Sequence, residues 1–253
     1  MPRSNVDLRR NNAWPSSTEQ RCTTFKVPRR AMGAVAHNFP QYTEAEASAD
    51  RALHLAALPA AIGAVSWLFL AAIPTAGIVQ AIAYVMYGCG LIGMLAASAA
   101  YNLCRPSHRK ELLRRVDHAM IFVMIAGTYT PFTLCAFYGR DGFLFCLVIW
   151  ALAAIGIAVT LAFPRRFERL LLALYLMMGW TVLGMGRSFI LHLSNPVLCL
   201  LLAGGAAYSV GAFVHARCQF RFHNVVWHAL VLLGAGLHWV AVAQQFAQAN
   251  TGS

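Results

Sequence analysis

Residues 77–104 read GIVQAIAYVMYGCGLIGMLAASAAYNLC, a stretch without Asp, Glu, Lys, Arg or His that stops against Arg105 and Pro106. About 20 mostly apolar residues suffice for one helical crossing of a hydrocarbon core, so this segment is predicted to span a membrane. Working outward, the same signature recurs from about residue 53 to 245. Spans are predicted at Leu53–Ile73, Gly77–Leu103, Asp117–Tyr138, Gly142–Phe163, Leu170–Phe189, Val197–Val214 and Asn224–Gln244. The predicted fold is all-α, a bundle of seven transmembrane helices over residues 46–245.

Composition agrees with this class. The 253 residues are 59% hydrophobic and only 11% charged, about half the charged share of a soluble domain. Twenty Lys and Arg against nine Asp and Glu could suggest a nucleic-acid partner, but the cations flank the apolar runs, so the expected partner is the bilayer. Cys22, Cys89, Cys104, Cys135, Cys146, Cys199 and Cys218 form no C-x-x-C pair, which argues against a zinc knuckle or redox motif. Residues 1–45 are Arg-rich and lack an apolar signal core. They read as a disordered basic tail, or alternatively as an organellar transit peptide or a segment upstream of a true start at Met32. Residues 246–253 read as a short tail.

Charge placement orients the bundle. Eighteen of the twenty Lys and Arg lie before the first span or in the second-to-third, fourth-to-fifth and sixth-to-seventh connections, and only Arg140 and Arg187 lie in the alternate ones. Cytoplasmic flanks accumulate such residues, so the N-terminus is expected in the cytoplasm and the C-terminus outside.

Polar residues within the spans are few, and each is a functional candidate because burial in lipid is costly unless the group is paired. In the predicted topology Ser98 and Asn102, Asp117 and His118, Asn224 and His228, and His54 all fall in one layer near the cytoplasmic face. The pairs Ser98/Asn102, Asn224/His228 and Asp50/His54 are each four apart, hence on one helical face. His238 lies about 15 Å deeper than His228 at the helical rise. Structural alternatives stand beside these readings. Asp117 and His118 could cap a helix start, His54 could be an interfacial histidine, Ser98 could serve small-residue packing, and Gly127 to Pro131 reads as a kink.

These residues resemble the hemolysin III family, bacterial relatives of the progestin and adipoQ receptors, over about residues 46–243. Glu46, Asp50 and His54 follow its E-x3-N-x3-H element, with Asp50 in place of Asn. Ser98-Ala-Ala-Tyr101-Asn102 resembles its S-x-x-Y-H element. Leu113 to His118 and Ile125 to Pro131 are similar to its most distinctive segment. Asn224 to His228, with His238 beyond, resembles its H-x3-H element.

The resemblance implies a zinc ion near the cytoplasmic side, held by three histidines with the Asp and Ser nearby. The corresponding positions are Asn102, Asn224 and His228, with Asp117 and Ser98 beside them. A neutral amide is a poor zinc ligand, so the expectation is a metal-free polar cluster, with His223, His54 or His118 as substitute ligands if zinc binds. His223 stands about 140° off the His228 face. Three functions follow from the resemblance: a hemolysin-type inner-membrane protein with a role in cytolysis or membrane homeostasis, a zinc-dependent lipid amide hydrolase of ceramidase type, or a receptor binding a lipid ligand without catalysis. No sequence feature fixes an oligomeric state.

Overall fold

The computed structural model describes residues 39, 42–137, 139–163, 165–185, 189 and 191–251. The predicted basic tail up to residue 38, with Cys22 and Met32, and Arg187 in the fifth-to-sixth connection lie outside them.

Each helix starts where local chemistry satisfies its first amides. Helix α1, Glu44–Ala72, opens with a capping box: the Glu46 amide donates to Thr43 Oγ1 at 3.3 Å, and the Thr43 amide donates to the Glu46 carboxylate at 2.8 Å. After α2, Ile78–Leu103, helix α3 spans His108–Pro131 and is capped by Ser107, whose hydroxyl accepts from the Lys110 amide at 3.3 Å. Asp117 and His118 therefore sit in the interior of α3, and the reading of Asp117 as a helix cap is corrected. Helices α4, Arg140–Ala162, α5, Glu168–Trp180, α6, Asn195–Arg217, and α7, His223–Thr251, complete the chain. The last helix continues through the first part of the predicted C-terminal tail.

No strand occurs among the described residues. Among the described residues, six of these seven helices are long and apolar enough to cross a membrane. The exception is α5, which gives way after 13 residues to a 3₁₀ turn, Thr181–Met185, where the sequence predicts a span through Phe189. The cause lies in the Gly127–Pro131 segment of α3. Tyr129 Oη accepts from the Val182 amide at 2.9 Å and from Thr181 Oγ1 at 3.1 Å, and donates to the Gly179 carbonyl at 2.9 Å. One phenol thus satisfies the backbone groups released where α5 stops.

Pro131 has no amide to donate, and α3 continues as a π turn, Phe132–Ala136. Thr128, Thr130 and Thr133 each donate a hydroxyl to the carbonyl four residues earlier, at 2.8, 2.8 and 3.0 Å. The expected kink is thus a backbone rearrangement lined with hydroxyls, as apolar surroundings require.

Helices pack in chain order: α2 along α3, α4 on the other side of α3, α6 along α7, with α5 bridging α4 and α6, and α7 returning to α1. The ring is thereby closed, and α3 is its most deeply buried span. Gly90 and Gly127 permit the α2–α3 approach, since a Cβ on either would lie 3.3 or 3.1 Å from a carbonyl oxygen of the other helix. Gly88 faces Val65 and Phe69 of α1, whereas Gly179 and Gly184 meet nothing within 4 Å, so the latter two mark no helix contact. Tyr87, Phe122, Phe132 and Met178 fill the interior, while Leu70 and Ile78 are 79% and 76% exposed. Such an apolar outer surface suits lipid rather than water.

Tyr129→Phe should keep the bundle assembled but lower its stability by about 1–3 kcal/mol, the cost of leaving buried polar groups unpaired. Thermal unfolding in detergent checks this, and an unchanged melting temperature would show that the α5 break is held by other contacts.

Candidate metal and ligand site

Asp50 and His54 lie one turn apart on α1, and His228 faces them from α7. All three are buried. His228 Nδ1 donates to Asp50 Oδ1 at 2.5 Å, and the other carboxylate oxygen stands 3.8 Å from His54 Nδ1. His54 Nδ1 lies 2.8 Å from the Asp50 carbonyl oxygen, which can only accept. That contact fixes the proton on Nδ1 and leaves Nε2 facing the Ser98 hydroxyl at 3.2 Å. The two imidazoles meet edge to face, their centroids 4.6 Å apart. One ligand-capable atom from each of Asp50, His54 and His228 lies within 4.8 Å of the other two.

The other expected residues divide around this trio. Asn102 Nδ2 donates to the Ser98 carbonyl at 2.9 Å and to its hydroxyl at 3.4 Å, so its amide serves its own helix. The Asp117 carboxylate lies near Ser98, His228, His54 and His118. His118 Nδ1 donates to the Arg114 carbonyl at 2.7 Å and stands 4.0 Å from the Asp117 carboxylate. Asn224 is buried. His223 turns away: its Nδ1 donates to the Phe220 carbonyl at 3.0 Å, as the five-residue offset from His228 implies. Glu46 accepts the Phe222 amide at 2.8 Å, which ties the start of α1 to the turn before α7. His238 lies in a deeper layer, its Nε2 donating to the Leu201 carbonyl at 3.2 Å.

A cavity of about 1060 Å³ adjoins the cluster. His228, Asp117, Asn102 and Asn224 form part of its wall, and Met124, Leu176, Val182 and Phe189 line it farther in. It exceeds the roughly 300–1,000 Å³ of pockets that hold drug-sized ligands.

At the polar end the opening is framed by an ion-pair network between α3 and the start of α5. Arg114 donates to Glu111 at 3.1 Å and to Glu168 at 2.7 Å, and Arg165 donates to Glu111 at 2.8 Å. The hydrogen-bonded Glu111 carboxylate raises the Arg165 guanidinium further above its ordinary range.

A family model described as Haemolysin-III related matches residues 48–239, from the α1 residues of the trio to beyond His228. The chain belongs to that family. It is 32% identical over 161 residues to a hemolysin-3 homolog of Bacillus subtilis (strain 168), covering 64% of this chain and 76% of the relative. The human monocyte to macrophage differentiation factor is 26% identical over 166 residues, covering 62% of this chain and 67% of its own. The heptahelical transmembrane protein ADIPOR2 of Oryza sativa subsp. japonica is 29% identical over 184 residues, or 60% and 77% of the two chains. No solved structure matches.

Asp50 is the residue the sequence underweighted. Its spacing to His54 and its departure from the family Asn were visible. Its direct partner, His228, is 178 residues away.

Glu111→Gln should leave Arg114, which is 8% exposed, with Glu168 as its remaining charge partner. The expected loss is about 1.5 kcal/mol, the low end for hydrogen bonds to a charged group, because Arg114 keeps Glu168. A denaturation series measures it, and additivity with Arg165→Gln would show that the Glu111–Arg165 contact is not coupled.

Proposed function

We propose that this hemolysin III-type protein crosses the membrane seven times with a cytoplasmic N-terminus, binds a divalent metal ion through Asp50, His54 and His228, and receives a lipid-like molecule in the adjoining cavity. The observation that carries the reading is the double role of His228, which belongs both to the trio and to the cavity wall. The family's ligand positions fit zinc poorly here, because two carry Asn and the Asn102 amide is bonded to its own helix. One carboxylate and two imidazoles are instead a regular ligand set for zinc and for ferrous iron, with positions left open.

The contact between Asp50 and His228 is compatible with this. The proton between Oδ1 and Nδ1 occupies the space between two ligand atoms, and metal binding at such a pair releases it. His54 keeps its Nδ1 on the Asp50 carbonyl, which presents Nε2 outward from α1. The Ser98 hydroxyl stands 3.2 Å from that nitrogen, and a metal ion bound there would take its place as the partner of Nε2. The remaining span, α5, would complete the seven crossings with its 3₁₀ extension, and the rice relative, named a heptahelical protein, supports that number. The basic flanks support the orientation.

A role in cytolysis by a continuous pore is less favoured, since the polar groups gather at one end of the bundle. A second reading, hydrolysis of a lipid amide, is favoured by the open positions beside a lipid-sized cavity. A metal ion in such a site supplies an activated water at neutral pH. In that reading Asp50 and His54 hold the ligand geometry, and the apolar wall excludes bulk water from the bound chain.

Elemental analysis of the purified full-length protein tests the metal assignment. About one zinc or iron per chain is expected, lost in His228→Ala and Asp50→Asn and retained in Asn224→Ala. Metal that survives Asp50→Asn but not Asn224→Ala would return the site to the family positions. A metal-free unaltered chain that also fails to take up added Zn²⁺ or Fe²⁺ would refute it.

A further inference from the structure

We propose that the basic rim of the cavity is a headgroup site for an amphiphile bearing a terminal, net-anionic phosphate, whose acyl chain occupies the apolar interior. The inference rests on the lipid-binding part of the proposed function and not on the metal.

Six cations line the cavity: Arg51 from α1, Lys110 and Arg114 from α3, Arg165 and Arg169 around the start of α5, and Arg217 at the end of α6. Asp117 and Glu168 are the only acidic residues in its lining among the described residues. Asp117 is committed to the buried cluster, and Glu168 is taken by Arg114 at 2.7 Å. Glu111 draws Arg114 and Arg165 together from outside the lining. Arg51, Lys110, Arg169 and Arg217 have no carboxylate within 4 Å among the described residues. The rim thus gathers unneutralised positive charge from four helices around one opening.

Positive flanks are general in membrane proteins and alone would mean little. Two features separate this rim from an ordinary flank. First, its cations share one cavity with Met124, Val182 and Phe189, so charge and apolar volume are continuous. Arg105 and Arg109, on the same side of the bundle, line no part of it. Second, the rim is held in shape. The Glu111 network fixes Arg114 and Arg165, and Lys110 is positioned by its bond to the Cys104 carbonyl at 2.8 Å and by the Tyr101 ring, 5.0 Å away. Guanidinium forks match phosphate oxygens, and basic pockets between membrane helices bind phosphorylated headgroups.

The test uses the full-length protein in neutral detergent, with lysophosphatidic acid, lysophosphatidylcholine of the same chain length, and inorganic phosphate as probes, read by native mass spectrometry. Saturable one-to-one binding of lysophosphatidic acid is expected, at least about tenfold tighter than that of lysophosphatidylcholine. Arg169→Gln with Arg217→Gln should weaken it about thirtyfold, each cation contributing roughly a factor of five. The Arg169→Lys, Arg217→Lys variant should keep most of the binding, which guards against misfolding of the neutral pair. Arg105→Gln with Arg109→Gln removes the same charge outside the cavity and should change little.

Equal binding of both lysolipids overturns the headgroup site while leaving the lipid cavity standing, and binding of neither overturns both. Inorganic phosphate binding as tightly as lysophosphatidic acid would reassign the rim to a free anion and overturn the amphiphile. Equal losses in the two Gln pairs would reduce the effect to general surface charge.

Discussion

The bond from His228 to the Asp50 carboxylate joins the last helix to the first, and the closed ring depends on contacts at that seam. Two polar groups in a lipid-embedded bundle have no water to fall back on, so each holds the other in place. Glu46 reinforces the seam a turn away by accepting the Phe222 amide. With α1 and α7 fixed, Ser98 on α2 and Asp117 on α3 come within reach of the same point, and the ring encloses the cavity instead of splaying open.

Helix α3 supplies the other half of the constraint. It is buried along most of its length, and glycines at its contact with α2 bring the backbones close. Its hydroxyl-rich end spends Tyr129 on the broken end of α5 and Thr130 on Trp150, whose indole donates to it at 3.1 Å. A single central helix therefore orders the polar layer at its start and the irregular backbone at its end. Only the stretch between is a simple apolar rod.

The membrane class was legible because a run of some 25 residues without a charge, such as 78–103, is too long and too apolar for the surface of a soluble protein, and the family was legible in four ordered motifs. Helix starts were less so. Hydropathy sees only the apolar part of a helix, and α3 begins with charged residues from His108 to Val116 that belong to the helix but not to the hydrocarbon, which is why Asp117 read as a terminus. The end of α5 was hidden for a different reason: its residues are apolar and helix-compatible, and what stops the helix is a phenol from α3. At the site, the pairs four residues apart were readable from helical geometry. The union of Asp50 with His228 was not, because it arises only when the ring closes.

The exchange of ligand types has a consequence of its own. Three imidazoles around a divalent ion leave two net positive charges in a medium of low dielectric, whereas Asp50 with His54 and His228 would leave one. Desolvation of such an occupied site would be correspondingly less costly, so in the proposed reading a carboxylate on α1 would stand in for imidazoles where Asn102 and Asn224 carry amides. The same charge donation makes the ion a weaker Lewis acid. In the proposed reading the cavity and its basic rim, rather than the ion, would set which molecule is retained.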